Sequence, residues 1–187
     1  MHKKTILTIL TISLFFQAVM PAANALAKEA TVVEQSNEFS TDSDEEDVDL
    51  SEKTITVTKE NFVSDTFQGV DALYRPGKTD GTSATYSCAA YVKKFYKEVH
   101  DVSVYNLFGG STPRTYEGST FSTVKTPKAG DIAASSSHWA IVKSVDEDNK
   151  CVVLIEQNWK WQQGGQTVCM VNRSVSYDDV KFYRLNQ

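Results

Sequence analysis

Two stretches of the chain carry apolar residues at helical spacing. The first, residues 88–99, has lysines opposite an apolar face, which is typical of a helix packed on a core. That face consists of Cys88, Val92, Phe95 and Val99. The second, residues 64–74, starts at Ser64, a residue type that caps helix N-termini, and carries Phe67, Val70 and Tyr74. The pattern therefore predicts two helices ahead of the strands.

Short apolar runs typical of strands make up most of the remaining chain. They occupy residues 132–135, 138–145, 151–159, 166–175 and 180–185. Residues 54–62 alternate like an edge strand, while residues 75–83 and 106–131 predict loops. Helices followed by an antiparallel sheet predict an α+β fold, in which N-terminal helices pack on that sheet.

One predicted hairpin sets the geometry of the candidate site. Residues 146–150 form a five-residue loop between two of the predicted strands. If Val145 faces Cys151 across that loop, the pairing continues in the same register to the far end of both strands.

At that far end, polar side chains meet a histidine. The register places His138 opposite Asn158, with Glu156 as its diagonal neighbour on the same face. Opposed side chains lie ~5 Å apart and diagonal ones ~7–8 Å, so both polar groups are within reach of the imidazole. A register slipped by one residue would place Gln157 opposite His138 instead.

Charge separates a tail from a domain. Residues 28–53 carry two lysines and ten acidic residues, whereas the whole chain has a net charge of −5. This composition predicts an acidic disordered spacer, with a pro-segment or a calcium-binding run as alternatives. Residues 54–187 are long enough for one domain with a sizeable core. They contain no Gly-rich phosphate loop and no basic stripe, so we expect no nucleic-acid partner.

Residues 1–27 are predicted to be a signal peptide. Two lysines precede an apolar run, and "ANALA" ends in the small-x-small pattern that precedes cleavage, here expected after Ala27. An uncleaved membrane anchor is the alternative, although the apolar run is short for a ~20-residue span. We therefore expect an exported protein that is secreted or associated with the cell wall and has no membrane contact after cleavage.

A cysteine and a histidine are candidates for nucleophilic catalysis. Cys88 begins the first predicted helix, where the helix dipole and free amide groups favour a thiolate, and its own amide is a candidate oxyanion donor. Beyond the predicted signal peptide the chain has only His100 and His138. His138 is the one predicted to face Glu156 and Asn158, and a histidine oriented by such a group can activate a cysteine.

Each of these residues also has a purely structural interpretation. A cysteine on an apolar helix face is commonly a small core residue, and a histidine at the start of a strand is commonly structural. Glu156 could instead form an ion pair with Lys160 at the surface. The combination of a cysteine at a helix start with a histidine and a polar triplet on paired strands favours the catalytic interpretation.

The other two cysteines, Cys151 and Cys169, are predicted to be reduced and buried. Three cysteines in an exported protein suggest a disulfide. However, a turn at residues 164–165 places Cys169 beside Lys160, some eight or nine residues along the strand from Cys151. At ~3.3 Å per residue this separation far exceeds the ~7 Å between Cα atoms that a disulfide can span.

Three tryptophans, Trp139, Trp159 and Trp161, bracket the predicted site. Their rings could line a groove for sugar or peptide. Packing in the core is the alternative interpretation.

The motifs "SCAAYV", "PKAGDIAASSSHWAIV" and "VVLIEQNW" resemble the CHAP domain, the cysteine, histidine-dependent amidohydrolase/peptidase family of the papain-like superfamily. The resemblance covers residues 60–187, and "EQNW" is its most specific part. It implies a papain-like fold with Cys88 as nucleophile, His138 as general base, Glu156 as orienting residue and Asn158 as a further polar group of the active site. It also implies cleavage of peptidoglycan, at the amide between muramic acid and L-alanine or within the peptide bridge.

Two features depart from the family pattern. Ser137 stands where many members have glycine, and "TDGTSATY" lacks the Asp-rich calcium loop of some phage-derived members. We therefore expect no metal and no other cofactor. The leading hypothesis is an exported peptidoglycan hydrolase, and the alternative is a catalytically silent CHAP-like module that binds the cell wall or a partner protein. A protein partner could also provide targeting, since the chain has no room for a separate wall-binding domain.

Overall fold

The computed structural model of the protein describes residues 49–186. Residues 1–27, the predicted signal peptide, and residues 28–48, most of the predicted spacer, lie outside the described residues. Within residues 49–186, no helix has the length and apolar character needed to cross a membrane.

The described chain contains thirteen strands and one α-helix. The helix is α1 (Cys88–His100), and a single 3₁₀ turn spans Tyr177–Asp179. The strands are β1 (Lys53–Thr56), β2 (Phe62–Phe67), β3 (Val70–Tyr74), β4 (Val104–Tyr105), β5 (Arg114–Thr115), β6 (Phe121–Val124), β7 (Ile132–Ala134), β8 (Trp139–Asp146), β9 (Cys151–Ile155), β10 (Lys160–Gln163), β11 (Gln166–Val171), β12 (Arg173–Ser176) and β13 (Lys181–Leu185).

A six-stranded antiparallel sheet, in the order β12-β9-β8-β7-β13-β6, forms the centre of the fold. Alternate side chains of its strands point to opposite faces. One face carries Ile132 and Ile141 and packs against Phe95 of α1. The other face carries Ala140 and Leu154 in a second apolar cluster. A three-stranded sheet, β1-β11-β10, and two small hairpins complete the described fold.

The predicted α+β fold with N-terminal helices is wrong, because the described chain is β-rich with a single helix. The first predicted helix is present as α1, whereas the second, residues 64–74, is the hairpin β2–β3. Gln68 and Gly69 both have positive φ, 49° and 79°, as a two-residue hairpin turn requires. Apolar residues on two strands joined by such a turn imitate helical spacing.

The predicted loop over residues 106–131 also contains strands, β5 and β6. Strand β6 pairs with β13, some sixty positions later in the sequence. This pairing is decided by the distant partner, so the local sequence does not reveal it. Of the edge strand predicted over residues 54–62, only the first part is present, as β1, which lies at the edge of the three-stranded sheet.

The β8–β9 hairpin differs from its predicted register at the turn. Val145 pairs with Val152 rather than with Cys151, so the two strands begin one residue out of the expected register. A bulge at Lys143 then restores the expected pairing, and Ile141 faces Ile155. The expected register therefore holds at the end of the hairpin that carries the candidate site.

The domain includes residues that the sequence assigned to the spacer. The side chain of Asn172, between β11 and β12, donates to the carbonyl oxygens of Asp49 and Ser51 at 3.0 and 3.3 Å. The backbone N–H of Ser174 donates to the Glu52 carboxylate at 3.2 Å, and β1 begins at Lys53. Residues 49–53 thus bind the segment between β11 and β12, where the chain passes from the three-stranded sheet to the six-stranded sheet.

A chain that starts at Thr54 should be less stable than one that starts at Asp49. The truncation removes both acceptors of the buried Asn172 amide, and an unsatisfied buried amide costs roughly 1–3 kcal/mol. For a domain of this size we expect Tm to fall by about 5–10 °C in a thermal melt followed by circular dichroism. A chain that starts at residue 28 serves as the control and should melt with the chain that starts at Asp49. Equal Tm for all three chains would contradict a structural role for residues 49–53.

Candidate active site

Cys88 is the first residue of α1, and its position is fixed by the helix cap. Ser87 is the N-cap, with φ −73° and ψ 157°, and its side chain accepts a hydrogen bond from the backbone N–H of Ala90 at 3.2 Å. The same hydroxyl donates to the Ser83 carbonyl at 2.6 Å. Because the first-turn N–H groups of a helix carry partial positive charge, this position stabilises a thiolate.

His138 lies immediately before β8 and is buried. A tight turn positions it, since the Ser135 N–H donates to the His138 carbonyl at 2.9 Å. Its Nε2 lies 2.7 Å from Oε2 of Glu156. The imidazole and the Cys88 thiol are near enough for each to shift the pKa of the other, so the structure places three of the four predicted catalytic residues close together.

Glu156 follows β9 and is 4% exposed. In addition to His138 it contacts Arg173, whose Nε donates to Oε1 at 2.7 Å and whose Nη2 donates to Oε2 at 2.8 Å. A carboxylate this deeply buried needs such compensation, because an unpaired buried charge is strongly destabilising. Arg173 is a part of the site that sequence reasoning missed. Its position at the start of β12, opposite Leu154, depends on a strand pairing that no local pattern specifies.

Trp159 packs against both of the side chains that bind the Glu156 carboxylate. Its indole meets the His138 imidazole edge to face, with ring centroids 4.9 Å apart. The Arg173 guanidinium lies over the same indole, 3.9 Å from the ring centroid, as a cation–π contact. The aromatic ring thereby restricts the orientation of both groups that bind Glu156.

These contacts favour a thiolate–imidazolium pair. Burial raises the pKa of the Cys88 thiol, but the hydrogen bond and charge of His138, with the backbone N–H groups of Trp139 and Ala89, outweigh it and lower the pKa overall. Burial lowers the pKa of His138, whereas its contacts with Cys88 and Glu156 raise it, to about 9. Both shifts favour the charged form of each group.

The pKa of Glu156 is held below its ordinary value. Burial alone would raise that pKa, but the hydrogen bonds from Arg173 and His138 and their charges lower it. Glu156 consequently remains a carboxylate beside the imidazole and stabilises the charged form of His138.

Asn158 does not face His138 as the hairpin register predicted. Strand β9 ends at Ile155, and the chain turns through a left-handed conformation at Asn158, with φ 66°. The strand register therefore does not extend to that residue. Its side-chain oxygen instead accepts a hydrogen bond from the backbone N–H of Asp80 at 2.8 Å. Asn158 thus fixes the loop before α1.

Lys160 does not form the alternative ion pair with Glu156. Its side chain is 1% exposed and pairs with the Asp80 carboxylate, while also donating to the Arg75 carbonyl at 2.8 Å. The structural interpretation of Glu156 as a surface ion-pair partner is therefore wrong.

The three predicted groove tryptophans have different surroundings. Trp139 is buried in the core beside α1, Trp161 is 36% exposed on β10, and Trp159 packs its ring against the His138 imidazole. A cavity of about 210 Å³ is lined by His138, Trp159 and Arg173, and a neighbouring groove of about 550 Å³ includes Trp139 in its lining. The cavity and the groove share Ser135, Asp179 and Val180. The cavity therefore adjoins the imidazole, whereas Cys88 lines neither the cavity nor the groove.

Cys151 and Cys169 are both free thiols, as predicted. Cys169 pairs with Lys160 across the β10–β11 hairpin, in the position that the turn at residues 164–165 predicted. It is buried, and burial raises its pKa to about 12, so it is an inert thiol. Cys151 is only half-buried, contrary to the prediction.

No family model matches the chain, and no curated protein or solved structure matches it. In the described part of the chain, no group of three or more His, Cys, Asp or Glu side chains could hold a metal ion. The site is therefore interpreted from its own residues.

Glu156→Gln should lower the pKa of His138 from about 9 towards its ordinary value near 6.5, because the neutral amide no longer stabilises the imidazolium. A titration of the His138 ring protons by NMR measures this shift. Asn158→Ala serves as the control, since its side chain binds the Asp80 backbone and not the imidazole. If Asn158→Ala moved the titration and Glu156→Gln did not, the roles of the two residues would be reversed.

Arg173→Met should suppress the reactivity of Cys88 towards iodoacetamide at neutral pH. The substitution leaves Glu156 with one cationic partner, and breaking a buried ion pair costs about 3–5 kcal/mol. Arg184→Met is a matched control, because Arg184 forms a similar two-point contact with the buried carboxylate of Asp131 away from the site. Both variants should lose stability, but only Arg173→Met should lose thiol reactivity. An equal loss in both would show that Arg173 acts through stability alone.

Proposed function

We propose that the protein is an exported cysteine hydrolase that cleaves an amide or peptide bond of peptidoglycan. The observation that carries the proposal is the buried arrangement of Cys88, His138 and Glu156, in which the pKa of the thiol is lowered and that of the imidazole is raised. The peptidoglycan substrate is supported by the CHAP-like motifs and the predicted signal peptide in the sequence.

The geometry suits acyl transfer through a thioester. The Cys88 thiolate attacks the carbonyl carbon of the scissile bond, and the protonated His138 transfers its proton to the leaving amine as the carbon–nitrogen bond breaks. Water, deprotonated by His138, then attacks the thioester, releases the carboxylic acid and restores the Cys88 sulfur. Glu156 stabilises the charged imidazole at each stage at which His138 holds the proton.

The backbone supplies further electrostatic support at the nucleophile. The backbone N–H groups of Trp139 and Ala89 lower the pKa of the Cys88 thiol and so favour its negative charge. Donors already oriented towards the reacting atom stabilise charge without reorganisation during the reaction. They support a nucleophilic role for Cys88 independently of His138.

One observation favours the alternative, a catalytically silent module that binds the cell wall or a partner protein. Cys88 is only 8% exposed, and a buried thiol meets substrate less easily than an open one. Reactivity separates the two functions: a catalytic Cys88 reacts rapidly with an alkylating reagent near pH 7, whereas a silent one does not.

Cys88→Ala should abolish peptidoglycan digestion while leaving the fold intact. Without the nucleophile only positioning and electrostatic stabilisation remain, so we expect the rate to fall below ~1% of the wild-type rate. Release of soluble fragments from purified peptidoglycan measures the activity. Cys169→Ala is the control, because its sulfur is buried and lies outside the site, and it should retain activity.

Mass spectrometry of the released fragments identifies the bond. A new amino terminus on alanine indicates an amidase, and one on a bridge residue indicates an endopeptidase. Full activity in Cys88→Ala, or no digestion by the wild-type chain, would contradict the proposed function.

A further inference from the structure

The polar residue next to Glu156 is as deeply buried as the catalytic candidates. Gln157 is 1% exposed, and its side-chain oxygen accepts a hydrogen bond from the backbone N–H of Leu73, on β3, at 2.8 Å. Its side-chain nitrogen donates to the carbonyl oxygens of Thr85 at 2.8 Å and of Ser87 at 3.3 Å. A single amide thus satisfies one donor and two acceptors.

Two of these bonds reach the segment that presents the nucleophile. Ser87 is the N-cap of α1 and directly precedes Cys88, and Thr85 lies in the turn that leads into the helix. The Ser87 carbonyl also accepts from the N–H groups of Ala90 and Tyr91 in the first turn. Gln157 therefore binds the backbone of Thr85 and Ser87, the segment that leads directly into Cys88.

Glu156 and Gln157 are adjacent in the chain, and their side chains bind different parts of the candidate site. The Glu156 side chain binds His138, whereas the Gln157 side chain binds the segment before Cys88. The short, covalently fixed distance between these two residues consequently limits how far the imidazole and the thiol can separate.

We propose that Gln157 is a positioning residue that holds the N-terminus of α1 at the separation from His138 at which Cys88 ionises. The inference rests on the proposed nucleophilic role of Cys88. It assigns Gln157 a specific effect, on the thiol, that general packing does not require. Loosening this contact weakens the interaction between Cys88 and His138, and burial then raises the thiol pKa.

Two substitutions separate positioning from packing. Gln157→Met keeps the length of the side chain and removes all three hydrogen bonds. Gln157→Glu retains the acceptor for the Leu73 N–H but, as a carboxylate, cannot donate to Thr85 or Ser87. It therefore breaks the link to the nucleophile, but it also adds a buried negative charge that by itself raises the thiol pKa. An unshifted midpoint in this variant overturns the positioning role, whereas support requires the same shift in Gln157→Met.

The control is Thr167→Val in β11. Thr167 is buried, and its hydroxyl oxygen accepts from the Gly77 N–H at 2.9 Å and from the Gln162 side chain at 2.7 Å, away from α1. The variant therefore loses buried hydrogen bonds without altering the contacts of Cys88.

The probe is iodoacetamide, with alkylation of Cys88 followed against pH by peptide mass spectrometry. We expect both Gln157 variants to move the midpoint of Cys88 reactivity up by about one pH unit, which lowers the rate about tenfold at pH values below the wild-type midpoint. Thr167→Val should keep the wild-type midpoint. On a peptidoglycan fragment, kcat should fall in the Gln157 variants while KM changes little.

The outcomes distinguish failure of this inference from failure of the proposed function. If Gln157→Glu keeps the wild-type midpoint, or if Thr167→Val shifts it equally, Gln157 is a packing residue and the inference is overturned. If Cys88 of the wild-type chain does not react at neutral pH, the proposed function fails and the inference fails with it. A shift confined to the Gln157 variants in a reactive wild-type background supports the positioning role.

Discussion

A buried carboxylate shared between two cationic groups determines how the site is built. Glu156 is almost fully enclosed, and His138 and Arg173 contact it from β8 and β12, the two neighbours of β9 in the sheet. Removing such a charge from water is costly unless its partners are well placed. The carboxylate therefore links the register of three strands to the protonation of one imidazole. Loss of register in any of these strands would expose the Glu156 carboxylate to water or leave it buried without a cationic partner.

Much of the candidate site could be predicted from the sequence because its signals are local. The apolar face of α1 identified a helix that begins at Cys88, and the two runs around residues 146–150 identified the hairpin that brings His138 close to Glu156. The agreement in register near the site depended on a bulge at Lys143, which compensates for an offset at the turn. No feature of the residues around Lys143 distinguishes a bulge from regular pairing.

The features of the fold and site that the sequence did not predict depend on pairing with a distant strand or on a turn in the backbone. Arg173 reaches Glu156 because β12 pairs with β9, and this choice of neighbour is a property of the whole sheet. Asn158 lies beyond the last residue pair of the β8–β9 register, because the chain turns there through a left-handed backbone conformation. The spacing of residues 64–74 predicts a helix where the structure has a hairpin, because apolar spacing alone does not distinguish a helix from two short strands joined by a turn.

The order of strands in the central sheet has a consequence for when the protein becomes chemically competent. Strand β7, which leads into His138, lies between β8 and β13, and Arg173 enters the site from β12, so both depend on segments that come later in the chain. Pairings of this kind form slowly, because the entropy of closing long loops opposes them. Until these pairings form, Cys88 lacks the neighbouring imidazole that lowers the pKa of its thiol. Under the proposed function, Cys88 therefore becomes reactive only after the central sheet has formed.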